Sequence, residues 1–265
     1  MSKRRIAYLG DKYTHTFAAA EKFAAAGDET AGYHTIYRSI EAVMRGGCDV
    51  AVAPVENSCG GSVTDTLDAL RALPLFIECE TVLPVPQHLI SVPGAEKSGI
   101  KTIYSHPQAL AQCDAYLRAH FPDVEAIAVS STAEALSLAC DATKAAIARA
   151  PSEGRAVIDA EIEDVKNNST RFLLLGRERA DRGGKCSVVF ETPNKPGALV
   201  GALSLFGEHG VNMTKIESRP HKSELGRYVF FVDFECDPSS PPDALIKELE
   251  SRTTYIKFLG RYPRI

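Results

Sequence analysis

The stretch of sequence that decides the fold extends from Leu75 to Val92 and has the sequence LFIECETVLPVPQHLISV. Residues that favour β-structure lie on both sides of Pro84 and Pro86, and proline cannot donate a hydrogen bond within a central strand. We therefore predict two strands that belong to different sheets and are joined by a stiff segment. A chain that crosses between two sheets in this way produces a domain with two lobes.

Strands and helices alternate on both sides of this crossing. The strand from Asp49 to Val55 is apolar on both faces, which is typical of a parallel strand covered by helices. Thr14 or Thr16 is predicted to cap the first helix. Further strands are predicted at 5–9, 33–35, 102–104, 126–129 and 145–148. The alternation predicts an α/β domain.

The pattern changes after the charged, glycine-containing run at 179–184, which we interpret as a linker. Strands at 186–192, 212–218, 228–234 and 255–259 and helices at 197–208 and 244–249 follow the order βαββαβ. This order is the ferredoxin-like arrangement, in which helices cover one face of an antiparallel sheet; we expect its edges and its other face to be free. The predicted domains are residues 1–181, with lobe one at 1–83 and 157–181 and lobe two at 84–156, and residues 182–265.

The composition limits the function classes. The formal net charge is −4 and no basic cluster of patch size occurs, so nucleic acid and anionic membranes are not expected as partners. The basic start of the chain lacks the apolar stretch of a signal peptide, and no run reaches the length of a membrane span. Seven scattered cysteines without a CxxC pair favour a reduced, cytoplasmic protein without a metal site.

Two polar segments lie next to predicted strands of the first domain. Glu56 to Ser62 follows the buried strand and precedes a helix, so its glycines and the first helix amides could approach an anion. The alternative is an ordinary strand-to-helix connection with Ser62 as the N-cap. Asn167 to Arg171 leads into the apolar run Leu173 to Leu175, and taken alone it is better explained as a turn at a strand start. His106 taken alone indicates no catalytic role.

Five short blocks carry a more specific signal. Three lie in the first domain: APVENSCGGSV (Ala53–Val63), SHPQALAQC (Ser105–Cys113) and NSTRF (Asn168–Phe172). Two lie in the second: GALV (Gly197–Val200) and ESRP (Glu217–Pro220). In this order and at this spacing they resemble the motifs of bacterial prephenate dehydratases with a C-terminal ACT regulatory domain. The resemblance implies a catalytic domain of the two-lobed, type II periplasmic-binding-protein-like fold, followed by a ferredoxin-like ACT domain.

The resemblance also implies the reaction. Prephenate would lose its ring carboxylate as carbon dioxide and its ring hydroxyl as water, and aromatisation to phenylpyruvate would drive the step without a cofactor or a metal. Thr170 is then expected to donate a hydrogen bond to the leaving oxygen, with Glu56 as one candidate for the proton source. The expected substrate-binding residues are Thr14, Asn57, Ser58, Gly61, Ser62, Ser105, Gln112, Asn168, Arg171 and Phe172.

The two C-terminal blocks imply feedback regulation by L-phenylalanine. The expected effector residues are Gly197, Ala198, Leu199, Val200, Asn212, Glu217, Ser218, Arg219 and Pro220, which would face each other across a subunit boundary. A homodimer or homotetramer is therefore expected. Deletion of residues 183–265 is expected to leave an active fragment that no longer responds to phenylalanine.

The sequence departs from the family motifs in two places of the first domain and one of the second. The opening loop, Gly10 to Thr16, lacks the usual proline, second glycine and aromatic residue, and the segment from Ala148 to Asp164 is shorter than usual. Asn194 stands where the ACT pattern usually has aspartate. Two alternatives stay open: arogenate dehydratase, which performs the same elimination on the amino-acid analogue, and an amino-acid-sensing binding protein without chemistry.

Overall fold

The computed structural model describes residues 3–222, 224–237 and 241–265 and is built around three β-sheets. Lobe one contains β1 (Arg5–Leu9), α1 (His15–Phe23), β2 (Glu29–Tyr33), α2 (Ile36–Met44), β3 (Val50–Asn57), β4 (Gly61–Ser62), α3 (Thr64–Ala72), β5 (Phe76–Pro84) and β11 (Ser169–Gly176). Its sheet has the order β2-β1-β3-β11-β5, with β4 paired to β3. Strand β11 is antiparallel to both neighbours, since it enters this sheet on the return from the other lobe.

Lobe two is built on the second sheet. It contains β6 (His88–Ser91), a 3-10 turn at Lys97–Gly99, β7 (Thr102–Ser105), α4 (Pro107–Gln112), α5 (Asp114–His120), β8 (Glu125–Ala128), α6 (Thr132–Leu138), β9 (Lys144–Ala148) and β10 (Ala156–Asp159). The strand order is β10-β6-β9-β7-β8. The predicted crossing is confirmed, because β5 pairs with β11 in the first sheet whereas β6 pairs with β9 in the second.

The predicted limit of lobe two at residue 156 is wrong. Strand β10, which has no counterpart among the predicted strands, pairs antiparallel with β6 and therefore keeps residues 156–159 in the second sheet. Two local predictions also change. Strand β2 ends at Tyr33, because Thr35 caps α2 by accepting a hydrogen bond from the Arg38 amide. Cys113 interrupts the helix after Pro107 and separates α4 from α5.

The C-terminal domain has the predicted ferredoxin-like topology. It consists of β12 (Lys185–Glu191), α7 (Ala198–Glu208), β13 (Met213–Pro220), β14 (Tyr228–Glu235), α8 (Asp243–Arg252) and β15 (Tyr255–Tyr262), with the antiparallel strand order β13-β14-β12-β15. Helices α7 and α8 pack on the face formed by Val188, Phe190, Val232 and Phe234. The helices therefore cover one side of this sheet, as predicted.

The other side of this sheet is not free, which corrects the sequence-based expectation. Val189 and Phe231 of the C-terminal domain share a buried apolar cluster with Leu70, Ile77 and Leu173 of lobe one. The C-terminal end of the chain extends this contact, because the Ile265 amide donates to the Glu80 carbonyl at 3.0 Å and the Glu80 amide donates to the Pro263 carbonyl at 3.0 Å. The C-terminal sheet is thus docked on lobe one.

Candidate active site

A cleft of about 360 Å³ lies between the two lobes and collects several of the predicted site residues. Lobe one and the return strand β11 provide one wall, and the start of α4 and the end of β9 provide the other. The predicted residues that line the cleft are Thr14, Asn57, Ser105, Gln112, Thr170 and Phe172. Sequence segments more than 100 residues apart therefore meet at one site.

Asn57 and Thr170 form the centre of the lobe-one wall. The two residues are paired across β3 and β11, and Asn57 Nδ2 donates to Thr170 Oγ1 at 2.9 Å. The orientation of the amide is fixed from its other end, because Asn57 Oδ1 accepts hydrogen bonds from the amides of Cys59 at 3.0 Å and Gly60 at 2.7 Å. Asn57 Nδ2 also donates to Asn168 Oδ1 at 2.7 Å, which fixes the loop before β11.

This arrangement determines what the Thr170 hydroxyl can do. Its oxygen accepts from Asn57, and among the described residues its hydrogen has no acceptor. Thr170 is 8% exposed and lines the cleft, so the hydroxyl can donate a hydrogen bond to a bound ligand. Asn57 therefore acts as a positioning residue for a single buried hydroxyl donor.

Side chains along β11 point alternately into the cleft and into the interior of the protein. Thr170 and Phe172 face the cleft, whereas Arg171 between them points to the opposite side of the sheet. There Arg171 donates to Glu80 Oε2 at 2.5 Å, forms an ion pair with Asp233 and donates to Tyr262 Oη at 3.0 Å. Burial alone would lower the pKa of Arg171, but the carboxylates of Asp233 and Glu80 hold it above its ordinary value.

The assignment of Arg171 to substrate binding is therefore corrected. Its guanidinium is committed to an ion network between lobe one and the C-terminal domain, in which Ser187 also contacts Asp233 and Tyr262. Asp233, Ser187 and Tyr262 belong to the C-terminal domain, whereas Glu80 lies on β5. The strand that presents Thr170 to the cleft is thus held from behind by the C-terminal domain.

Glu56 has a similar position behind Asn57. Lys215 of β13 donates to Glu56 Oε1 at 2.9 Å and to Ser62 Oγ at 2.8 Å, and Ser62 Oγ donates to Glu217 Oε2 at 2.8 Å. Neither Glu56 nor Ser62 lines the cleft. The roles of Glu56 as a proton source and of Ser62 as a substrate ligand are corrected, because both side chains bind the C-terminal domain.

The predicted anion cradle at the start of α3 also needs correction. The amides of Cys59 and Gly60 already donate to Asn57, and the N-cap of α3 is Val63 without a side-chain hydrogen bond. Ser58 fixes the loop before β11, since its hydroxyl accepts from the Ser169 amide at 2.9 Å. Gly61 has a φ of +74° and no neighbour within 4 Å of an added Cβ, and it lies outside the cleft lining.

The opposite wall of the cleft presents amide and hydroxyl groups. Ser105 Oγ donates to the Ile147 carbonyl at 2.7 Å, so its remaining capacity is as an acceptor. Gln87 Nε2 donates to Gln112 Oε1 at 3.2 Å, which leaves the Gln112 amide nitrogen able to donate into the cleft. On the lobe-one wall, Thr14 caps α1 by accepting from the Phe17 amide at 3.2 Å and donates to the Asp11 carbonyl at 2.8 Å.

Several polar lining residues were not selected from the sequence: Tyr13, His15, Thr16, Gln87, His106, Gln108, Thr132 and Arg149. His106 Nδ1 accepts from the Gln108 amide at 3.3 Å as the N-cap of α4, in keeping with a capping role. Burial, followed by the electrostatic influence of Arg149 and His88, lowers the pKa of His15 to about 4. Four of these residues lie in segments that depart from the family motifs, and this departure was their only signal in the sequence. Tyr13, His15 and Thr16 lie in the opening loop from Gly10 to Thr16, and Arg149 lies in the short segment from Ala148 to Asp164.

The expected effector residues lie at two places in the C-terminal domain. Gly197 precedes α7 with a φ of +79°, a left-handed conformation that glycine adopts without strain. Glu217 lies on the edge strand β13 and contacts Ser62, and Arg219 lies 3.4 Å from Asp68 Oδ2. Asn212 Nδ2 donates to Glu235 Oε2 at 3.0 Å. Within the described chain no hydrogen bond joins the Gly197–Val200 segment to Glu217–Pro220.

Among the described residues, no three His, Cys, Asp or Glu side chains form a cluster with a geometry suited to a metal ion. Likewise, none of the helices in the described ranges combines the length and apolar character needed to cross a bilayer.

Comparison with known proteins agrees with the two-part organisation. Residues 6–180 match the family model described as prephenate dehydratase, and residues 187–251 match that of the ACT domain. A prephenate dehydratase of Methanocaldococcus jannaschii is 38% identical over 275 residues, which cover 98% of each chain.

Two solved structures are similar over nearly the whole chain. One is a prephenate dehydratase from Arthrobacter aurescens in complex with L-Phe, with a TM-score of 0.86, 33% identity and coverage of 98% of this chain and 90% of that one. The other, described as the quorum quenching acylase GqqA, has a TM-score of 0.86, 28% identity and coverage of 99% and 98%. The two matched family models and the relative that is similar over nearly the whole chain show that this chain belongs to the prephenate dehydratase family and has an ACT domain at its C-terminal end.

Proposed function

We propose that the cleft converts prephenate to phenylpyruvate, as a carbon–oxygen lyase of L-phenylalanine biosynthesis in the cytoplasm. The observation that carries the proposal is the Thr170 hydroxyl, which Asn57 orients and whose hydrogen is available to the cleft. A hydroxyl donor suits this reaction, since the difficulty is the departure of a poor leaving group. The catalytic domain is assigned to residues 1–181 and the ACT domain to residues 182–265.

The bonds that change are defined by the substrate. The bond between the ring and its hydroxyl breaks, and the departing oxygen takes the electron pair while Thr170 donates a hydrogen bond to it. The bond between the ring and its carboxylate breaks, and that electron pair enters the ring as carbon dioxide leaves. With one proton taken up from solvent, the oxygen leaves as water. Because Thr170 contacts charge that develops only during the reaction, it stabilises the transition state more than the bound substrate.

The apolar part of the cleft contributes to the loss of the carboxylate. Phe172, Val85, Ile147 and Pro54 line the cleft beside the polar groups. A carboxylate is poorly solvated near such side chains, whereas carbon dioxide is neutral, so the negative charge is favoured to move from the carboxylate into the ring. The cleft therefore combines a donor for the leaving oxygen with a weakly solvating surface for the leaving carboxylate.

Acyl transfer, the activity named for the GqqA structure, fits this cleft less well. Such chemistry needs a nucleophile activated by a neighbouring base. Among the described residues of the cleft, no serine or threonine hydroxyl is hydrogen-bonded to a histidine: Ser105 donates to a backbone carbonyl, as does Thr14, and Thr170 is bound to an amide. A sensor without chemistry could bind a ligand through the same oriented hydroxyl, and the formation of an aromatic product distinguishes an enzyme from it.

The first prediction tests the proposed activity. Purified protein should form phenylpyruvate from prephenate, and it should act more slowly on arogenate, which carries an ammonium group in its side chain. The measurement is the appearance of the aromatic product from each substrate at equal concentration, with heat-inactivated protein as the control. Formation of no aromatic product from either substrate would contradict the proposed function, and a higher kcat/KM for arogenate would make this chain an arogenate dehydratase.

We further propose that L-phenylalanine binds to the ACT domain and lowers activity, with Gly197–Val200 and Glu217–Pro220 as its contacts across a homodimer or homotetramer interface. Edge strand β13 offers unpaired backbone groups for such an assembly, and Ile216 on it is 48% exposed. The same strand carries Lys215 and Glu217, which bind Glu56 and Ser62 behind the active-site strand β3. A ligand that binds Glu217 would therefore alter the contacts of Ser62 and Glu56 with strand β13, and Glu56 is the residue next to Asn57.

The second prediction follows from this coupling. Glu217→Gln should weaken inhibition by L-phenylalanine about 5- to 150-fold, the range of a coupling free energy of about 1–3 kcal/mol, while activity without effector changes little. The measurement is the concentration of phenylalanine that halves the rate, together with the sedimentation of the protein with and without effector. Glu250→Gln, an exposed substitution on α8, is the matched control. Inhibition that is equally strong in both variants would contradict the role of Glu217.

A further inference from the structure

Arg149 is a cation in the cleft that the mechanism above does not use. It follows the last residue of β9 and is about half buried. Among the described residues its guanidinium has no hydrogen-bond or ion-pair partner, and its Nε is both buried and unbonded. Burying a charged group without a partner is unfavourable, so such a residue in a cleft indicates a position that an anion completes.

The remainder of the cleft lining strengthens this point. Among the described lining residues no aspartate or glutamate occurs, and Arg149 is the one side chain with a permanent charge. Glu21 favours the charged form of Arg149 from a distance but forms no ion pair with it, while burial lowers the pKa of the guanidinium. His15, on the other lobe, lies near enough for the charge of Arg149 to help lower its pKa, so the imidazole is neutral at pH 7. The cleft therefore offers one fixed positive charge and no negative one.

Prephenate brings two carboxylates, and the chemistry decides which of them suits a guanidinium. A strong ion pair to the ring carboxylate would stabilise the negative charge that has to leave it and would raise the barrier to decarboxylation. The side-chain carboxylate next to the keto group survives in the product. An ion pair to that group contributes equally to the substrate and to the transition state, and thus provides affinity without opposing the reaction.

On this basis, and resting on the proposed function, we propose that Arg149 binds the side-chain carboxylate of prephenate and selects the α-keto acid over its α-amino analogue. The fork geometry of arginine suits a carboxylate in two-point contact. In arogenate the neighbouring carbon carries an ammonium group, which would lie close to the guanidinium with no acidic lining residue to accept it. The cleft therefore disfavours the amino acid through repulsion and an unpaired ammonium group.

The third prediction tests this assignment with Arg149→Met, which keeps much of the side-chain volume and removes the charge. KM for prephenate should rise about 10- to 100-fold with kcat within about threefold, since a charge-assisted contact common to substrate and transition state is lost. The affinity for phenylpyruvate, measured by calorimetry, should fall by a similar factor. The ratio of kcat/KM for prephenate to that for arogenate should fall toward one.

Thermal unfolding without ligand separates this role from a structural one. Removal of an unpaired, half-buried charge should leave Tm unchanged or raise it, whereas loss of a structural arginine would lower it. Arg155→Met is the matched control, because Arg155 lies in the same segment, donates to the Leu136 carbonyl at 3.3 Å and is not part of the cleft lining. It should leave KM and the substrate ratio unchanged.

The possible outcomes are distinguishable. If the unchanged protein turns over prephenate but Arg149→Met has the same KM and the same affinity for phenylpyruvate, the inference is overturned while the proposed function stands. An equal loss for prephenate and arogenate would likewise overturn the claim of selectivity. Absence of turnover by the unchanged protein would instead remove the proposed function itself.

Discussion

Thr170→Val should lower kcat by about 100- to 10,000-fold, the usual contribution of a positioned proton or hydrogen-bond donor to catalysis. Valine keeps the shape of threonine but cannot donate, so the leaving oxygen would lose the hydrogen bond from the oriented Thr170 hydroxyl. KM should change by less than about threefold, because the contact strengthens mainly in the transition state. The measurement is the steady-state rate of phenylpyruvate formation, with folding verified by circular dichroism.

Glu56→Gln is the matched control for this fourth prediction. Glu56 lies next to Asn57 on β3, but its carboxylate faces Lys215 and not the cleft. The variant should keep kcat within about threefold, since only a contact behind the sheet weakens. A loss as large as that of Thr170→Val would restore Glu56 as a proton source. Near-normal turnover by folded Thr170→Val would remove Thr170 from the mechanism.

Arg171→Met should destabilise the protein by about 3–5 kcal/mol, the range observed when one partner of a buried ion network is removed. Glu80 and Asp233 would then lie buried without the cation that they share. Lys185, whose Nζ lies 3.3 Å from Glu80 Oε1, would balance the charge of Glu80 in part. The measurement is the free energy of unfolding from denaturant titration. KM of the folded fraction should stay within a few-fold, since Arg171 does not reach the cleft.

Arg38→Met is the control for this fifth prediction. Arg38 pairs with Glu41 at 2.7 Å, but its side chain is 63% exposed, and exposed pairs of this kind contribute about 0–1 kcal/mol. Its loss should therefore be small. If Arg171→Met instead kept full stability and raised KM by more than tenfold, Arg171 would be a substrate ligand, and the description of the network as a structural contact would be wrong.

The ion network around Arg171 changes the expectation that a chain without residues 183–265 stays active. Removal of residues 183–265 would expose Leu70, Ile77 and Leu173 and would leave Arg171 without Asp233 and Tyr262. A catalytic domain cut at this point is therefore expected to be unstable, and the sequence-based expectation of an active fragment is withdrawn. Point substitutions such as Glu217→Gln are the better way to separate regulation from catalysis.

Much of the fold could be predicted because local signals agree with the tertiary structure. Pro84 and Pro86 mark the crossing between sheets, and the βαββαβ order of the last third of the chain leads to the observed strand order. Strand β10 was missed because a short run such as Val157–Ile158 has little periodicity of its own, and its pairing with β6 comes from tertiary contact. Sequence patterns locate strands better than they locate strand partners.

The site was predicted in part for the same reason. Asn57 and Thr170 can be predicted from their motifs. The NSTRF motif groups Arg171 with Thr170, whereas side-chain alternation along β11 places the two residues on opposite faces of the sheet. A second signal was present in the C-terminal domain. Val229 and Phe231 alternate with Phe230 and Val232, so β14 is apolar on both faces and has to be covered twice.

Other contacts had no signal in the sequence. Lys215 reaches Glu56 across 159 positions of the chain, and charged residues of this kind occur on any exposed strand. Arg149 lies in a segment that departs from the family motifs, which indicates a difference but does not reveal its chemistry. Only the structure shows that this guanidinium lines the cleft and has no partner among the described residues.

The most direct test of the central claim is to measure carbon dioxide and phenylpyruvate together, from prephenate, with purified protein and with Thr170→Val. The account predicts equal amounts of the two products at every time point and at least a 100-fold lower rate for both in the variant. Equal rates in the two proteins, or an aromatic product that forms without carbon dioxide, would contradict it.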